Sequence, residues 1–219
     1  MDELYRLATG PLAWAAFIVF IGGSLFRLIH LIMLVHRKEK FIYTYMSLKF
    51  SLRSILHWLT PFGTANWRLH PWLTVVTFAF HICLVLTPIF LLAHIVLWDE
   101  AWNISWWALP DWLAIVMTVI VIGGCFFFFI RRRVTPEVAY VTSASDYAIL
   151  LLTAAPFITG LIAYFQWFDV RLFTLLHVLA GEAMLISIPF TRISHMLLAP
   201  LTRGYMGSEF GAIRHARDW

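Results

Sequence analysis

Five long apolar runs, separated by short polar segments, divide the chain. A helix needs roughly 20 mostly apolar residues to cross the hydrocarbon core of a bilayer. The runs of about this length are Pro11–Val35, Trp72–Trp98, Trp112–Ile130, Tyr147–Phe168 and Leu172–Leu198. They predict an all-α integral membrane protein with five transmembrane helices, numbered here as spans 1 to 5.

The segment Phe41–Leu69 has a different pattern. It mixes the basic residues Lys49, Arg53 and His57 with large apolar side chains. Such mixed polarity is typical of a helix that lies in the plane of the membrane interface. We therefore expect an interfacial amphipathic helix between spans 1 and 2.

Composition agrees with a membrane protein. The chain is 61% hydrophobic and 13% charged, whereas soluble domains are about 45–50% apolar and about 25% charged. Its 219 residues suit a single membrane domain over residues 1–219. Cys83 and Cys125 lie inside apolar runs, and the chain has no CxxC or CxxCH motif. Covalent c-type haem and iron–sulfur clusters are therefore not expected within this chain.

The basic residues follow the topology of a membrane protein, so the net charge of +4 does not indicate nucleic-acid binding. With the N-terminus outside, the inner segments hold 12 Lys and Arg residues and the outer segments hold only Arg6 and Arg171. Lys and Arg accumulate on the cytoplasmic side of membrane proteins. The charges thus predict a periplasmic N-terminus and a cytoplasmic C-terminus.

Histidines in two of the spans are the main candidates for chemistry. Ionisable residues inside a span are costly and usually functional. Of nine histidines, His70, His81 and His94 lie on or just before span 2, and His177 and His195 lie on span 5. Neutral imidazole is a good iron ligand, so this clustering on two helices favours haem binding.

The spacing within span 5 predicts two sites. His177 and His195 are 18 residues apart, which is five turns of a continuous α-helix. They would then share a face and lie about 27 Å apart along the helix, near opposite sides of the bilayer. This is the geometry of two stacked haems, each held by histidines from two helices.

Span 2 offers two pairs of histidines. Helical phase favours His70 with His81, which differ by only about 20° on an ideal helix. Depth favours His81 with His94, because these two are roughly level with the two histidines of span 5. His81 and His94 differ by about 140° on an ideal helix. Pro88 lies between them and is expected to kink or rewind the span.

Several segments resemble the respiratory nitrate reductase gamma subunit, a family of five-helix dihaem cytochromes b. They are Phe80–Ile82, Ala93–His94, Arg131–Pro136, Thr142–Asp146, Leu176–Gly181 and Ile188–His195. The resemblance covers nearly the whole chain, and Pro189–His195 is its most specific part. Within this family, Gly10–Trp14 and Trp58–Thr64 look most like the membrane cytochrome b of sulfate-reducer redox complexes, those of high-molecular-weight cytochrome c and type II cytochrome c3.

The resemblance implies two b-type haems with bis-histidine iron ligation. We expect His81 and His195 to hold the inner haem, and His94 and His177 to hold the outer one. The 13-residue step from His81 to His94 is longer than in the nitrate reductase family. His70 therefore stays an alternative ligand.

Two further residues of span 5 are candidates for haem contacts. Gly181, one turn after His177, is expected to let the outer haem approach the helix. Arg192, one turn before His195, is a candidate partner of a propionate of the inner haem, although a basic residue at the interface needs no cofactor to explain it.

The resemblance also implies partners and a location. The partners are a cytoplasmic iron–sulfur subunit of the heterodisulfide-reductase type, a periplasmic multihaem cytochrome c and other membrane subunits, in a bacterial cytoplasmic membrane. Menaquinone is a further candidate cofactor. The outer loops lack the lysine that the nitrate reductase family uses near its quinol, so quinol chemistry is implied less firmly than haem binding.

A transporter whose histidines relay protons is the alternative hypothesis. It predicts inverted repeats and broken helices, and neither is visible in the sequence. A purely structural anchor leaves the histidine pairs unexplained.

Overall fold

The computed structural model describes residues 2–219. The chain is 85% helical, with no strand in the described part. Five helical segments there are long and apolar enough to cross a membrane, namely Asp2–Lys38, Pro71–Phe90, Asp111–Val134, Ala144–Phe165 and Val170–Phe190. The predicted fold class, an all-α multi-pass membrane protein, is confirmed.

Eleven α-helices make up most of residues 2–219. In chain order they are α1 (Asp2–Leu7), α2 (Ala13–Lys38), α3 (Leu48–Leu59), α4 (Ala65–Leu69), α5 (Pro71–Phe90), α6 (Leu92–Trp102), α7 (Asp111–Val134), α8 (Pro136–Val141), α9 (Ala144–Phe165), α10 (Val170–Ser187) and α11 (His195–Ser208). π-helical turns at Ala8–Leu12 and Glu209–Ile213 follow α1 and α11. Single 3₁₀ turns occupy Lys40–Thr44, Ile188–Phe190 and Arg192–Ser194.

The segment Phe41–Leu69, predicted as one amphipathic helix, contains two helices, α3 and α4. Pro61 disfavours helical backbone at the preceding Thr60, which is extended and caps the C-terminus of α3. Phe62 then takes a left-handed φ of 61°. A Cβ at Gly63 would collide with the carbonyl oxygen of His57, so the turn requires glycine there.

Span 5 is shorter than the predicted run Leu172–Leu198. Helix α10 ends at Ser187, Pro189 lies in a 3₁₀ turn, and Thr191 is extended. The prediction of one continuous helix is therefore wrong. Proline lacks an N–H and cannot continue the i to i−4 hydrogen-bond ladder, which explains an end at this point. His177 lies on α10 and His195 begins α11, so the five-turn spacing does not apply to them.

The expected distortion of span 2 is present. Pro88 is accommodated within α5, and the helix breaks at Leu91, which has extended backbone. Helix α6 starts at Leu92 and carries His94. The hydrophobic run therefore forms two helices whose phases are independent.

Close internal packing divides the chain into two units, and the prediction of one domain over residues 1–219 stays a prediction. The first unit comprises Val76–Met184 with N-terminal residues up to Thr9. Its core joins α5, α7 and α9 through Phe80, Val121 and Phe157. Gly124 of α7 allows a close approach, because a Cβ there would lie 2.7 Å from the Phe80 ring.

The second unit comprises Gly10–Val75 and Leu185–Trp219. Small residues bring α3 and α11 together in what we call the Ser–Gly seam, formed by Ser47, Ser51, Ser54, Gly204, Gly207 and Ser208. The Ser51 hydroxyl donates to the Gly204 carbonyl at 2.9 Å, and the backbone N–H of Ser47 donates to Ser208 Oγ at 3.1 Å. Small residues that let backbones approach and hydroxyls that bond between helices are typical of membrane packing.

Helix α3 is amphipathic as predicted, but its contact face is the polar one. Ser51 and Ser54 are buried in the seam, whereas Leu48, Leu56 and Leu59 are 76%, 61% and 69% exposed. An exposed leucine stripe on a basic helix is the expected pattern for burial in the lipid interface. Placement of α3 in the interface stays a prediction.

Candidate haem site

His94 and His177 lie together within the first unit. The centroids of their imidazole rings are 5.9 Å apart, and the ring planes differ by 18°. Both residues are half-buried, and no hydrogen bond joins them. Two nearly parallel imidazoles from two helices thus lie side by side without a hydrogen bond between them.

The backbone orients each of these rings. His94 Nδ1 lies 2.8 Å from the Pro88 carbonyl oxygen, and His177 Nδ1 lies 2.8 Å from the Pro156 carbonyl oxygen. A carbonyl only accepts, so both Nδ1 atoms carry the proton and both Nε2 atoms carry the lone pair. This is the usual arrangement of metal-binding histidines, whose second nitrogen is fixed by a backbone carbonyl or a carboxylate.

The break at Leu91 positions His94. A helix end leaves its last four carbonyls without amide partners, and a lipid environment requires that they be satisfied. Here Thr87 O accepts from Leu91 N–H at 3.0 Å, and Phe90 O accepts from Leu109 N–H at 2.8 Å. Ile89 O accepts from Trp106 Nε1 at 2.9 Å. The remaining carbonyl, Pro88 O, is the one that accepts from the His94 ring.

Helix α9 positions His177. Pro156 supplies the carbonyl, and Gly160, one turn later, provides the room for the ring. A Cβ on Gly160 would lie 2.9 Å from His177 Nδ1 and 3.0 Å from its Cε1, inside normal contact distance. The imidazole therefore packs directly on the backbone of α9.

The residues around this pair fit a bis-histidine haem. A metal–imidazole bond of roughly 2 Å on each side, together with the half-width of each ring, gives a centroid separation of about 6 Å. The observed 5.9 Å is close to this value, which applies where the two Nε2 atoms face each other across the metal. Gly181 lies one turn beyond His177 on α10, and a Cβ there would meet nothing within 4 Å. Open space thus borders α10 at Gly181, and the role of Gly181 beside a haem stays a prediction.

The other predicted ligands lie in different units. His81 is on α5 in the first unit and donates from Nδ1 to Thr77 O at 2.7 Å. His195 is at the start of α11 in the second unit and donates from Nδ1 to Arg192 O at 2.8 Å. Both therefore have the same tautomer as the His94–His177 pair. Their pairing stays a prediction.

Two further residues from the sequence analysis have defined positions. Arg192 is exposed, in the 3₁₀ turn before α11. His70, the alternative ligand, caps α4 in the second unit, where its backbone N–H donates to Asn66 O at 3.2 Å. The structure therefore gives His94 a histidine partner within its own unit, and His70 lies in the other unit.

Three site residues were missed in the sequence. Pro156 and Gly160 are four residues apart on span 4, a spacing that places them on one helix face. A proline and a glycine at this spacing in an apolar helix are a usable signal of a close contact. Trp106 lies in the loop after α6, and its indole N–H completes the hydrogen bonds at the break.

Glu182 of α10 is one of two buried acids of the first unit, the other being Asp146 of α9. It is 6% exposed, and neither of its carboxyl oxygens has a hydrogen-bond partner. Among residues 2–219, no group of three or more His, Cys, Asp or Glu side chains forms a candidate metal-ion site.

The all-helical fold and the five segments long and apolar enough to cross a membrane define a multi-pass α-helical membrane protein. A protein of Nitratidesulfovibrio vulgaris (strain Hildenborough), described only as "Protein", is 39% identical over 215 residues, which cover 96% of this chain and 95% of that relative. The chain belongs to the same family as that protein. No profile of a known protein family matches the chain. No solved structure matches it.

Proposed function

We propose that the chain is a dihaem b-type cytochrome, a membrane subunit that passes electrons across the bilayer. The geometry of His94 and His177 carries the proposal, because two imidazoles with their Nδ1 protons bound to backbone carbonyls present Nε2 as ligands. The proposed ligands of the outer haem are His94 and His177, and those of the inner haem are His81 and His195. A bound haem supplies reversible one-electron chemistry.

The residues of the chain have three tasks in this proposal. The carbonyls of Pro88 and Pro156 hold the tautomers of the outer ligands, and these hydrogen bonds raise the basicity of the imidazoles. Gly181 leaves room beside α10. Arg192 is the proposed partner of an inner-haem propionate, since a guanidinium matches a carboxylate with two parallel hydrogen bonds.

The proposed partners follow the resemblance to the nitrate reductase gamma subunit. They are a cytoplasmic iron–sulfur subunit of the heterodisulfide-reductase type, a periplasmic multihaem cytochrome c and other membrane subunits, with menaquinone as a possible further electron carrier. The proposed orientation has the N-terminus in the periplasm of a bacterial cell. Affinity purification from native membranes should recover a cytoplasmic redox protein, and recovery of the chain without one contradicts this part.

A haem assay tests the core of the proposal. Protein purified from cells supplied with haem should show a low-spin b-type spectrum and two noncovalent haems per chain in a pyridine haemochrome assay. A folded, helical protein without haem would refute the proposal.

A proton-relay transporter is the second candidate. The buried carboxyl of Glu182, which has no hydrogen-bond partner, favours it because ionisable groups inside spans often relay protons. The helix breaks at Leu91 and after Ser187, which the sequence did not show, also favour it, because transporters commonly contain broken helices. Against it, no hydrogen bond connects His94 and His177, and each Nδ1 proton is committed to a carbonyl. The same visible spectrum separates the two functions.

A further inference from the structure

Arg27 is a charged residue inside span 1. It lies in the apolar run Pro11–Val35, and the next Lys or Arg along the chain is Arg37, ten residues later near the end of α2. Ten residues of helix rise about 15 Å, which is about half the thickness of the hydrocarbon core. Ionisable side chains at such a depth are costly, and they face a partner or a polar cavity. A partner for Arg27 is therefore expected.

The face of α2 that carries Arg27 is the one that packs on the rest of the second unit. Ala16, which is fully buried, lies about 20° from Arg27 around an ideal helix, whereas Ile18, which is 67% exposed, lies about 180° from it. One turn before Arg27, a Cβ on Gly23 would lie 2.8 Å from Pro189 Cγ. Arg27 thus lies on the side of α2 that faces the segment between span 5 and α11.

The Arg27 side chain is nevertheless exposed. The protein contacts this face of α2 at Ala16 and at Gly23, and α2 also contacts α11, but the protein leaves Arg27 uncovered. The guanidinium therefore borders open space on the protein-facing side of α2.

No acidic group among residues 2–219 neutralises Arg27, which makes no hydrogen bond or ion pair with any of them. The second unit has three acidic side chains, Glu39, Glu209 and Asp218. Glu209 and Asp218 lie beside other arginines near the C-terminus. Glu39 is twelve residues from Arg27, about 18 Å along the axis of α2. The counter-charge must therefore come from a group that binds to the chain.

Arg27 and His195 lie on the same side of the contact between Gly23 and Pro189. Spans 1 and 5 cross the membrane in the same direction, because three crossings lie between them. Arg27 follows Gly23 by one turn, and His195 follows Pro189 by six residues. Both lie beyond the contact in the common direction of the two spans. The unpaired guanidinium and the proposed ligand of the inner haem are therefore at the same end of the second unit.

We propose that Arg27 binds a propionate of the inner haem, an inference that rests on the proposed function. A b-type haem carries two propionate carboxylates, and a guanidinium matches a carboxylate with two parallel hydrogen bonds. Arg192 is the proposed partner of one propionate, and Arg27 provides a second guanidinium from another span. A positive charge held near a haem in a medium of low dielectric favours the reduced form, because reduction removes one positive charge. Arg27 therefore raises the reduction potential of the inner haem.

Redox titration of the purified chain with its bound haem, followed by visible absorption, tests the proposal. The variants are Arg27→Gln, Arg27→Lys and the control Arg37→Gln, which removes an arginine from the same helix outside the apolar run. Titration of His195→Ala assigns the two potentials, because only the outer haem should remain in that variant. A pyridine haemochrome assay measures the haem content of each variant, and circular dichroism measures the fold.

Arg27→Gln should lower the reduction potential of the inner haem and leave that of the outer haem unchanged. Arg27→Lys keeps the charge, so its potential should lie between those of Arg27→Gln and the wild type. Arg37→Gln should match the wild type. In the His195→Ala background, Arg27→Gln should leave the remaining potential unchanged, since that haem is not the one Arg27 contacts.

Unchanged potentials in Arg27→Gln, or an equal shift in Arg37→Gln, overturn this inference, while two haems in the wild type still uphold the proposed function. Unchanged potentials together with loss of a co-purifying membrane subunit would assign the carboxylate to that subunit, and this result overturns the inference as well. A folded wild type without haem refutes the proposed function and this inference with it.

Discussion

The two units use polar groups inside a membrane protein in opposite ways. In the Ser–Gly seam of the second unit, hydroxyls bond to each other and to the facing backbone, as Ser51 does with Ser208 at 2.9 Å. Beside α10 in the first unit, the polar groups are imidazoles whose Nδ1 atoms are held by backbone carbonyls. No hydrogen bond uses the other nitrogen of His94 or His177. The hydroxyls of the seam bond within the protein, whereas the Nε2 atoms of the histidine pair make no hydrogen bond and are the proposed haem ligands.

Removing one imidazole should have the largest effect. We expect His94→Ala and His177→Ala each to reduce the haem content from two per chain to one, because each removes a proposed ligand of the outer haem only. A pyridine haemochrome assay with far-UV circular dichroism measures the haem content and the fold. His70→Ala is the control and should keep both haems. If His70→Ala loses a haem while His94→Ala keeps two, the assignment by depth is wrong.

Filling the seam should affect the fold more than the haem. A Cβ at Gly207 would collide with the Ser54 side chain and the Phe50 carbonyl. We therefore expect Gly207→Leu to destabilise the protein by on the order of 1–3 kcal/mol, as in other overpacked interiors. The midpoint of thermal unfolding in detergent measures this effect. Gly22→Leu is the control, since a Cβ at Gly22 meets nothing within 4 Å; equal midpoints for the two variants would contradict the role of the seam.

A smaller change in the haem is expected from a substitution at Gly160 of α9, which contacts the His177 ring. Gly160→Ala places a methyl group 2.9 Å from His177 Nδ1, so the ring must move by a few tenths of an ångström. We expect a shifted reduction potential for one haem, with both haems retained, measured by redox titration. Gly123→Ala on α7 is the control, because that Cβ would lie in open space. Identical titrations for the two variants would exclude contact between Gly160 and the ligand.

The smallest expected effect lies in the exposed turn after α11. A hydrogen bond from Arg214 lowers the pKa of Glu209 below its ordinary 4.5, with a further contribution from Tyr205. A carboxyl with a lowered pKa in the folded state stabilises the protein above the unfolded value and loses this contribution as pH falls through the folded value. Glu209→Gln should therefore lower the unfolding midpoint slightly at pH 7, and the difference from wild type should shrink as the pH falls below 4.5. A difference that does not shrink on acidification would show that the carboxylate charge is not its cause.

The fold was predictable from the sequence because a bilayer demands long apolar helices, and five such runs are visible. The ends of those helices were less predictable. Hydropathy did not separate Val170–Ser187 from the residues that follow it, since Ile188, Phe190 and Ile193 are as apolar as the span. The helix ends there because Pro189 has no N–H to continue the hydrogen-bond ladder.

The histidine pair could be predicted only in part. The levels of the histidines within their spans, together with Pro88, indicated that His94 lies near His177. The break at Leu91 makes the direction of the His94 side chain independent of the helical phase of α5. The contribution of Gly160 requires knowledge of which helix faces α10, and no pattern within one span contains it. The Ser–Gly seam could not be predicted from one helix either, because a serine on α3 forms this contact only where a glycine of α11 lies opposite it.

The hydrogen bonds at the break in span 2 limit how the following loop can vary in length. Surface loops commonly tolerate insertions. Here Trp106 and Leu109 satisfy the carbonyls of Ile89 and Phe90, so the loop is part of the end of α5. Adding or removing a residue between Asn103 and Leu109 would leave membrane-embedded carbonyls unpaired beside His94. Family members are therefore expected to keep a constant loop length here even where its side chains differ.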